Sequence, residues 1–64
     1  MRKIKEIREK VGLSQSQLSI ASGVNCRMIQ SYEQGAKDIN KAQAITVYKL
    51  SKALNVKIED LLEI

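Results

Sequence analysis

Glycines at positions 12, 23 and 35 divide the first half of the chain into short segments, and each falls where an apolar pattern of helical period stops. Glycine enters the left-handed conformation without a side-chain clash, so these positions read as helix ends. Before Gly12, Ile4, Ile7 and Val11 recur at helical spacing, with Arg2/Glu6 and Glu6/Lys10 at i,i+4, and the pattern predicts a helix over residues 2–10. Ser14 with Gln17 forms a capping box ahead of a helix over 15–22, whose inward stripe is Leu18, Ala21 and Ser22. Asn25 caps a third helix with Ile29 and Tyr32 inward, ending at Gly35.

Beyond Gly35, residues 36–40 read as a loop, and Asn40 with Gln43 offers a further capping box for a helix over 41–54. Ala44, Val47, Leu50, Ser51 and Leu54 fall on one face of that helix. Asn55 and Val56 break it, and residues 57–62 supply a last short helix with Ile58, Leu61 and Leu62 on its apolar side. No segment alternates long enough to form a strand. The expected fold is all-α, a compact bundle of five short helices in one domain over residues 1–64. The chain has no Trp, Phe or His, so its core must be built almost wholly from Ile, Leu, Val and Ala.

Charge is unevenly spread. Eleven Lys and Arg against seven acids give +4, and five of the eleven lie in the first ten residues. Residues 11–26 carry no ionisable side chain except the Cys26 thiol, whereas Glu59, Asp60 and Glu63 make the C-terminal segment acidic. Such a molecule is electrically polarised and has an anion-facing side. One cysteine permits neither an internal disulfide nor a structural zinc site, which fits a reducing cytoplasm. The basic start is not followed by an apolar stretch of signal-peptide length, and no transmembrane span is visible, so no membrane partner is expected. Without histidine, a Cys/His pair or a phosphate-cradling glycine loop, neither catalysis nor a cofactor is expected, and Glu59, Asp60 and Glu63 read as a solvated helix face.

Two short helices joined by a tight glycine turn match the helix-turn-helix arrangement, here over residues 15–35. The run LSQSQLSIASGVNCRMIQSYEQG resembles the Cro and phage-repressor type of helix-turn-helix domain, often called the Xre family. The matching positions are Gln15, Leu18, Gly23, Val24, Ile29, Tyr32 and the Glu33 to Gly35 ending. KLSKALNVKIEDLL resembles the family's fourth and fifth helices, so the likeness covers essentially the whole chain. Departures are Ser19 where alanine is usual, Ile20 where a polar residue is usual, Met28 where threonine or serine is usual, and a longer loop over 36–42.

The resemblance implies a sequence-specific, double-stranded DNA-binding transcriptional regulator, a repressor acting as a homodimer on a two-fold symmetric operator. Gln15 opens the second helix, where unpaired N–H groups and the positive dipole end suit phosphate oxygens, and the family's matching glutamine contacts phosphate. Cys26, Arg27, Gln30 and Ser31 project from the face opposite Ile29 and Tyr32 and are the candidates for reading bases. Arg27 matches guanine O6 and N7, and Gln30 matches adenine N6 and N7. Met28 reads as a packing or thymine-methyl contact. The Cys26 thiol, beside Arg27 at a helix start, also fits a redox sensor, although packing alone accounts for a small side chain there.

Asn25, Lys37, Asn40 and Lys41 are candidate phosphate contacts. Arg8 and Glu33 stand where the family places a partly buried ion pair, and Arg8 is also a candidate phosphate contact. Gly23, Ile29, Tyr32 and Glu33 are the structural positions of the motif. For the dimer interface the fifth helix, with Leu62 and Ile64, is the candidate. Two other readings fit the same chain. In one, it is an antitoxin or adaptor whose main partner is a protein, motivated by the outward Ile20. In the other, the first helix binds anionic surfaces, which Glu6 and Glu9 oppose.

Overall fold

The first three helices end on glycines in the left-handed conformation, as the sequence predicts. Helix α1 (Lys3–Val11) ends on Gly12 with φ 85°, α2 (Gln15–Ser22) on Gly23 with φ 75°, and α3 (Cys26–Gln34) on Gly35 with φ 80°. The computed structural model describes residues 2–63, in which a 3-10 turn (Ile39–Lys41), α4 (Ala44–Leu54) and α5 (Ile58–Leu61) complete the order, and no strand occurs among those residues. Ile64, one candidate for the dimer interface, lies outside the described residues.

The Ser14 capping box is formed in both directions: Ser14 Oγ accepts from the Gln17 N–H at 3.0 Å, and Gln17 Oε1 accepts from the Ser14 N–H at 2.8 Å. Asn25 Oδ1 accepts from the Arg27 N–H at 2.8 Å and so caps α3. Helix α4 begins later than the sequence predicts. Asn40 does not cap it, because the chain first makes the 3-10 turn with Asp38 Oδ1 accepting from the Asn40 N–H at 2.9 Å. Gln43 then holds the N-cap position, and Asn55 closes α4 in the left-handed conformation at φ 57°.

Ile4 of α1, Leu18 of α2, Val24, Ile29 and Tyr32, Ile39 of the 3-10 turn, Val47, Leu50 and Leu54 of α4, and Leu61 of α5 form one buried cluster. Helix α2 packs on α3 and α4, and α5 on α4 and α1. The inward stripes are narrower than periodicity suggests: Ala21 and Ala44 are exposed, and Ile58 is 41% exposed. An alanine gains little apolar area on burial, so larger neighbours decide how a helix turns.

Candidate nucleic-acid interface

The unit built by α2 and α3 is held by its turn. Gly23, at φ 75°, lets the chain reverse, and its N–H bonds to the Ser19 carbonyl at 2.8 Å. Ser19 Oγ donates to the Val24 carbonyl at 2.6 Å, and Ser22 Oγ accepts from the Val24 N–H at 3.1 Å. Ser19, a departure from the family pattern, thereby adds a side-chain bond across the turn. Val24, Ile29 and Tyr32 are buried beneath it.

Burial of Ile29, Tyr32 and Glu33 on one side of α3 turns the other side outward. Arg27 and Gln30 are exposed there, while Cys26 and Ser31 are half-buried on the same side. Their i,i+3 and i,i+4 spacing groups the four candidate base-reading residues along one face. Asn25 uses its side-chain oxygen as the cap, which leaves its amide N–H groups to face outward at the start of α3.

Gln15 occupies the first position of α2, where the opening N–H groups of a helix have no intrahelical acceptor. Its Nε2 donates to Glu33 Oε1 at 2.9 Å. That bond orients the amide and leaves its second N–H at the helix start. Glu33 is gripped from the other side by Arg8, whose Nε donates to Oε2 at 2.6 Å and Nη2 to Oε1 at 3.1 Å. Arg8 Nη1 donates to the Leu13 carbonyl at 2.7 Å, between α1 and α2. The Arg8–Glu33 pair expected from the resemblance is present.

The phosphate contact also expected of Arg8 does not fit this geometry, because its side chain is buried and all three guanidinium nitrogens are engaged inside the protein. Burial alone pushes the Glu33 carboxyl toward its neutral form. Hydrogen bonds from Arg8 and Gln15 and the charges of Arg8 and Lys5 outweigh that, holding its pKa below the ordinary value. The hydrogen bond to Glu33 is also the main cause of a raised Arg8 pKa. The negative charge at the end of α3 is therefore compensated within the fold.

Lys37 and Lys41 are exposed at the rim of a depression of about 310 Å3, which Met28, Tyr32 and Thr46 also line. The start of α4, which has no side-chain cap, opens beside the same depression. Met28 packs partly against the core here, the packing alternative of the two expected of it. Asn40 directs its amide to backbone of this chain instead. Its Nδ2 donates to the Glu63 carbonyl at 3.0 Å and its Oδ1 accepts from the Glu63 N–H at 2.8 Å. Glu63 Oε1 also accepts from the Lys3 N–H at 2.8 Å, so one residue ties the start of α1 and the 3-10 turn to the segment after α5. Glu63 is thus not part of the solvated acidic face that its sequence neighbours Glu59 and Asp60 suggest. Nothing in local spacing points to a partner 23 residues away.

No helix of the described residues is long and apolar enough to cross a membrane. A helix-turn-helix family model matches residues 4–61. Among solved structures, the chain is similar to the restriction-modification controller protein C.AhdI from Aeromonas hydrophila, with a TM-score of 0.82 and 27% identity, covering 94% of this chain and 86% of that one. A comparison with curated proteins gives no match.

Proposed function

The chain belongs to the Cro and phage-repressor type of helix-turn-helix family and is a DNA-binding regulator of that class; from that premise we propose that it acts in the cytoplasm as a homodimeric, sequence-specific repressor on a two-fold symmetric operator. The observation that carries this reading is the outward face of α3. Arg27 and Gln30 stand exposed there, over Ile29 and Tyr32, which fix the helix to the core. Arg27 reads a guanine through two N–H donors and Gln30 an adjacent adenine, with Ser31 and Cys26 completing the contact surface. Gln15, Asn25, Lys37 and Lys41 hold phosphates on either side and set the docking register. One copy reaches only a few base edges, and two copies reach half-sites about 34 Å apart. The relative's description as a controller protein supports a regulatory task.

Selection from random duplex DNA tests this reading, and enrichment of a palindrome is the expected result. Arg27→Ala then costs about 1 to 3 kcal/mol at the selected site and relaxes preference at one base pair, whereas Lys41→Ala weakens all sequences alike and flattens the salt dependence. Equal affinity for every duplex would remove sequence specificity from the proposal. Ile20, 84% exposed on α2, favours the antitoxin or adaptor reading, in which a protein is the main partner. Co-purification that Ile20→Gln abolishes, with DNA affinity unchanged, is its distinguishing result.

A further inference from the structure

The two ends of the Tyr32 side chain have different surroundings. Its ring belongs to the buried cluster, and the residue as a whole is only 4% exposed. Its hydroxyl has no hydrogen-bond partner among the described residues, yet no fully enclosed side-chain oxygen or nitrogen among them lacks one, so this oxygen reaches water. The opening is the depression at the start of α4, which Tyr32 lines together with Met28 and Thr46 and which has Lys37 and Lys41 on its rim. A phenol held in the core with its O–H at one opening is a donor fixed in place and free to bond.

We propose that the Tyr32 hydroxyl donates a hydrogen bond to one phosphate of the bound duplex, seated in this depression between Lys37 and Lys41. The inference deepens the operator reading above by adding a neutral donor, presented from the core, to its phosphate contacts. The surroundings select an anion. Helix α4 starts here without a side-chain cap, so its opening N–H groups and positive dipole end face the depression. Asp38, the one acid among the lining residues, has its Oδ1 on the Asn40 N–H, and the two lysines outnumber it. Position selects the duplex as the source of that anion. Tyr32 lies on α3 with Arg27 and Gln30, so a phosphate held by its hydroxyl sets the register of the base-reading side chains through one rigid helix. Lys37 and Lys41 attract the same phosphate, but their flexible stems do not fix where it sits.

Tyr32→Phe keeps the ring and removes only the oxygen, so it is the variant that decides the matter. Its affinity for the selected operator is expected to fall by about 10-fold or more, the worth of one hydrogen bond to a charged group. Preference at each base pair and the salt dependence stay as in wild type, because the lost donor is neutral and touches no base. An unrelated duplex shows the same loss, and Tm holds, since no bond within the fold is broken. Neutral methylphosphonates placed one at a time along the duplex locate the partner. At one phosphate for each bound copy the replacement weakens wild type more than Tyr32→Phe, and elsewhere the two effects multiply. Inorganic phosphate titrated without DNA leaves the Tyr32 ring resonances in place.

A Tyr32→Phe protein that binds duplexes as wild type does, or methylphosphonate effects that multiply at every position, overturns the Tyr32 contact and leaves the operator reading intact. A Tm loss of about 5 °C, the size of one internal hydrogen bond in a domain this small, assigns the hydroxyl to the fold and overturns the contact as well. Saturation of the Tyr32 shifts by about 1 mM inorganic phosphate, absent in Tyr32→Phe, makes a free phosphoryl group the occupant in place of the duplex. A selection that enriches no sequence overturns the operator reading itself, and the comparison of the two proteins on an arbitrary duplex still decides the contact.

Discussion

Two polar clusters tie together segments that are distant in the chain, and they do so by opposite means. Arg8, Glu33 and Gln15 join α1, α3 and the start of α2 through a charged pair that is almost wholly buried. Asn40, Glu63 and the Lys3 backbone join the 3-10 turn, the segment after α5 and the start of α1, with the Asn40–Glu63 bonds exposed to water. In the first, breaking one partner strands a charge in a place with little solvent. In the second, water replaces whatever is removed. The two should therefore differ far more in cost than in number of bonds.

Arg8→Met makes the sharpest test. It leaves Glu33 buried with only Gln15 as a donor and is expected to cost about 3 kcal/mol, lowering Tm by about 15 °C for a domain of this size. Arg8→Met/Glu33→Leu should recover most of that loss, because no charge is left unpaired. A double variant as unstable as the single one would mean that the pair contributes through packing and not through charge. Thermal denaturation followed by circular dichroism measures both.

Acid provides the second test. Because the folded protein holds Glu33 below its ordinary pKa, the charged form adds stability at neutral pH. That contribution is lost as pH falls from the ordinary carboxylate range through the lower value of Glu33. In Arg8→Met burial dominates instead, so the acid transition is expected to begin at higher pH than in wild type. Coincident acid transitions in the two proteins would contradict the assigned direction.

Asn40→Ala, by contrast, removes two exposed hydrogen bonds and is expected to cost about 1 kcal/mol or less. Amide exchange should speed up in the 3-10 turn and after α5, not in α3. A loss as large as that of Arg8→Met would erase the distinction between the clusters. The smallest effect on stability belongs to Gln15→Ala, since Arg8 still holds both Glu33 oxygens. Tm should barely move, while affinity for the selected operator falls by about 10-fold or more, the worth of one hydrogen bond to a charged phosphate at about 1.5 to 3 kcal/mol. A large drop in Tm would recast Gln15 as part of the scaffold.

The same contrast explains which parts were legible in the sequence. Ser14, Asn25 and the three glycines act on atoms within a few residues, so the ends of α2 and α3 follow from local spacing. The Arg8–Glu33 pair spans 25 residues and was visible only through resemblance to a family. Asn40 had the composition of a helix cap, but its amide matches the Glu63 backbone better than the start of α4. Helix α4 therefore starts at Ala44, and the Asn40 amide is committed to the fold. Arg8 is kept from the surface for the complementary reason: its guanidinium is buried, with each of its three nitrogens bonded inside the fold. Ile58 lies on the apolar side of its helix by periodicity, and only packing shows that this side is not covered.

The Ser19 hydroxyl, donating to Val24 across the turn, has a kinetic meaning. The angle between α2 and α3 is set when the protein folds, so little ordering remains to be done when it meets a duplex. Association can then run at the rate of oriented encounter, aided by the net charge of +4, for any duplex it meets. On the sequence-specific reading proposed above, discrimination then falls to residence time: sites are told apart by how long the protein stays.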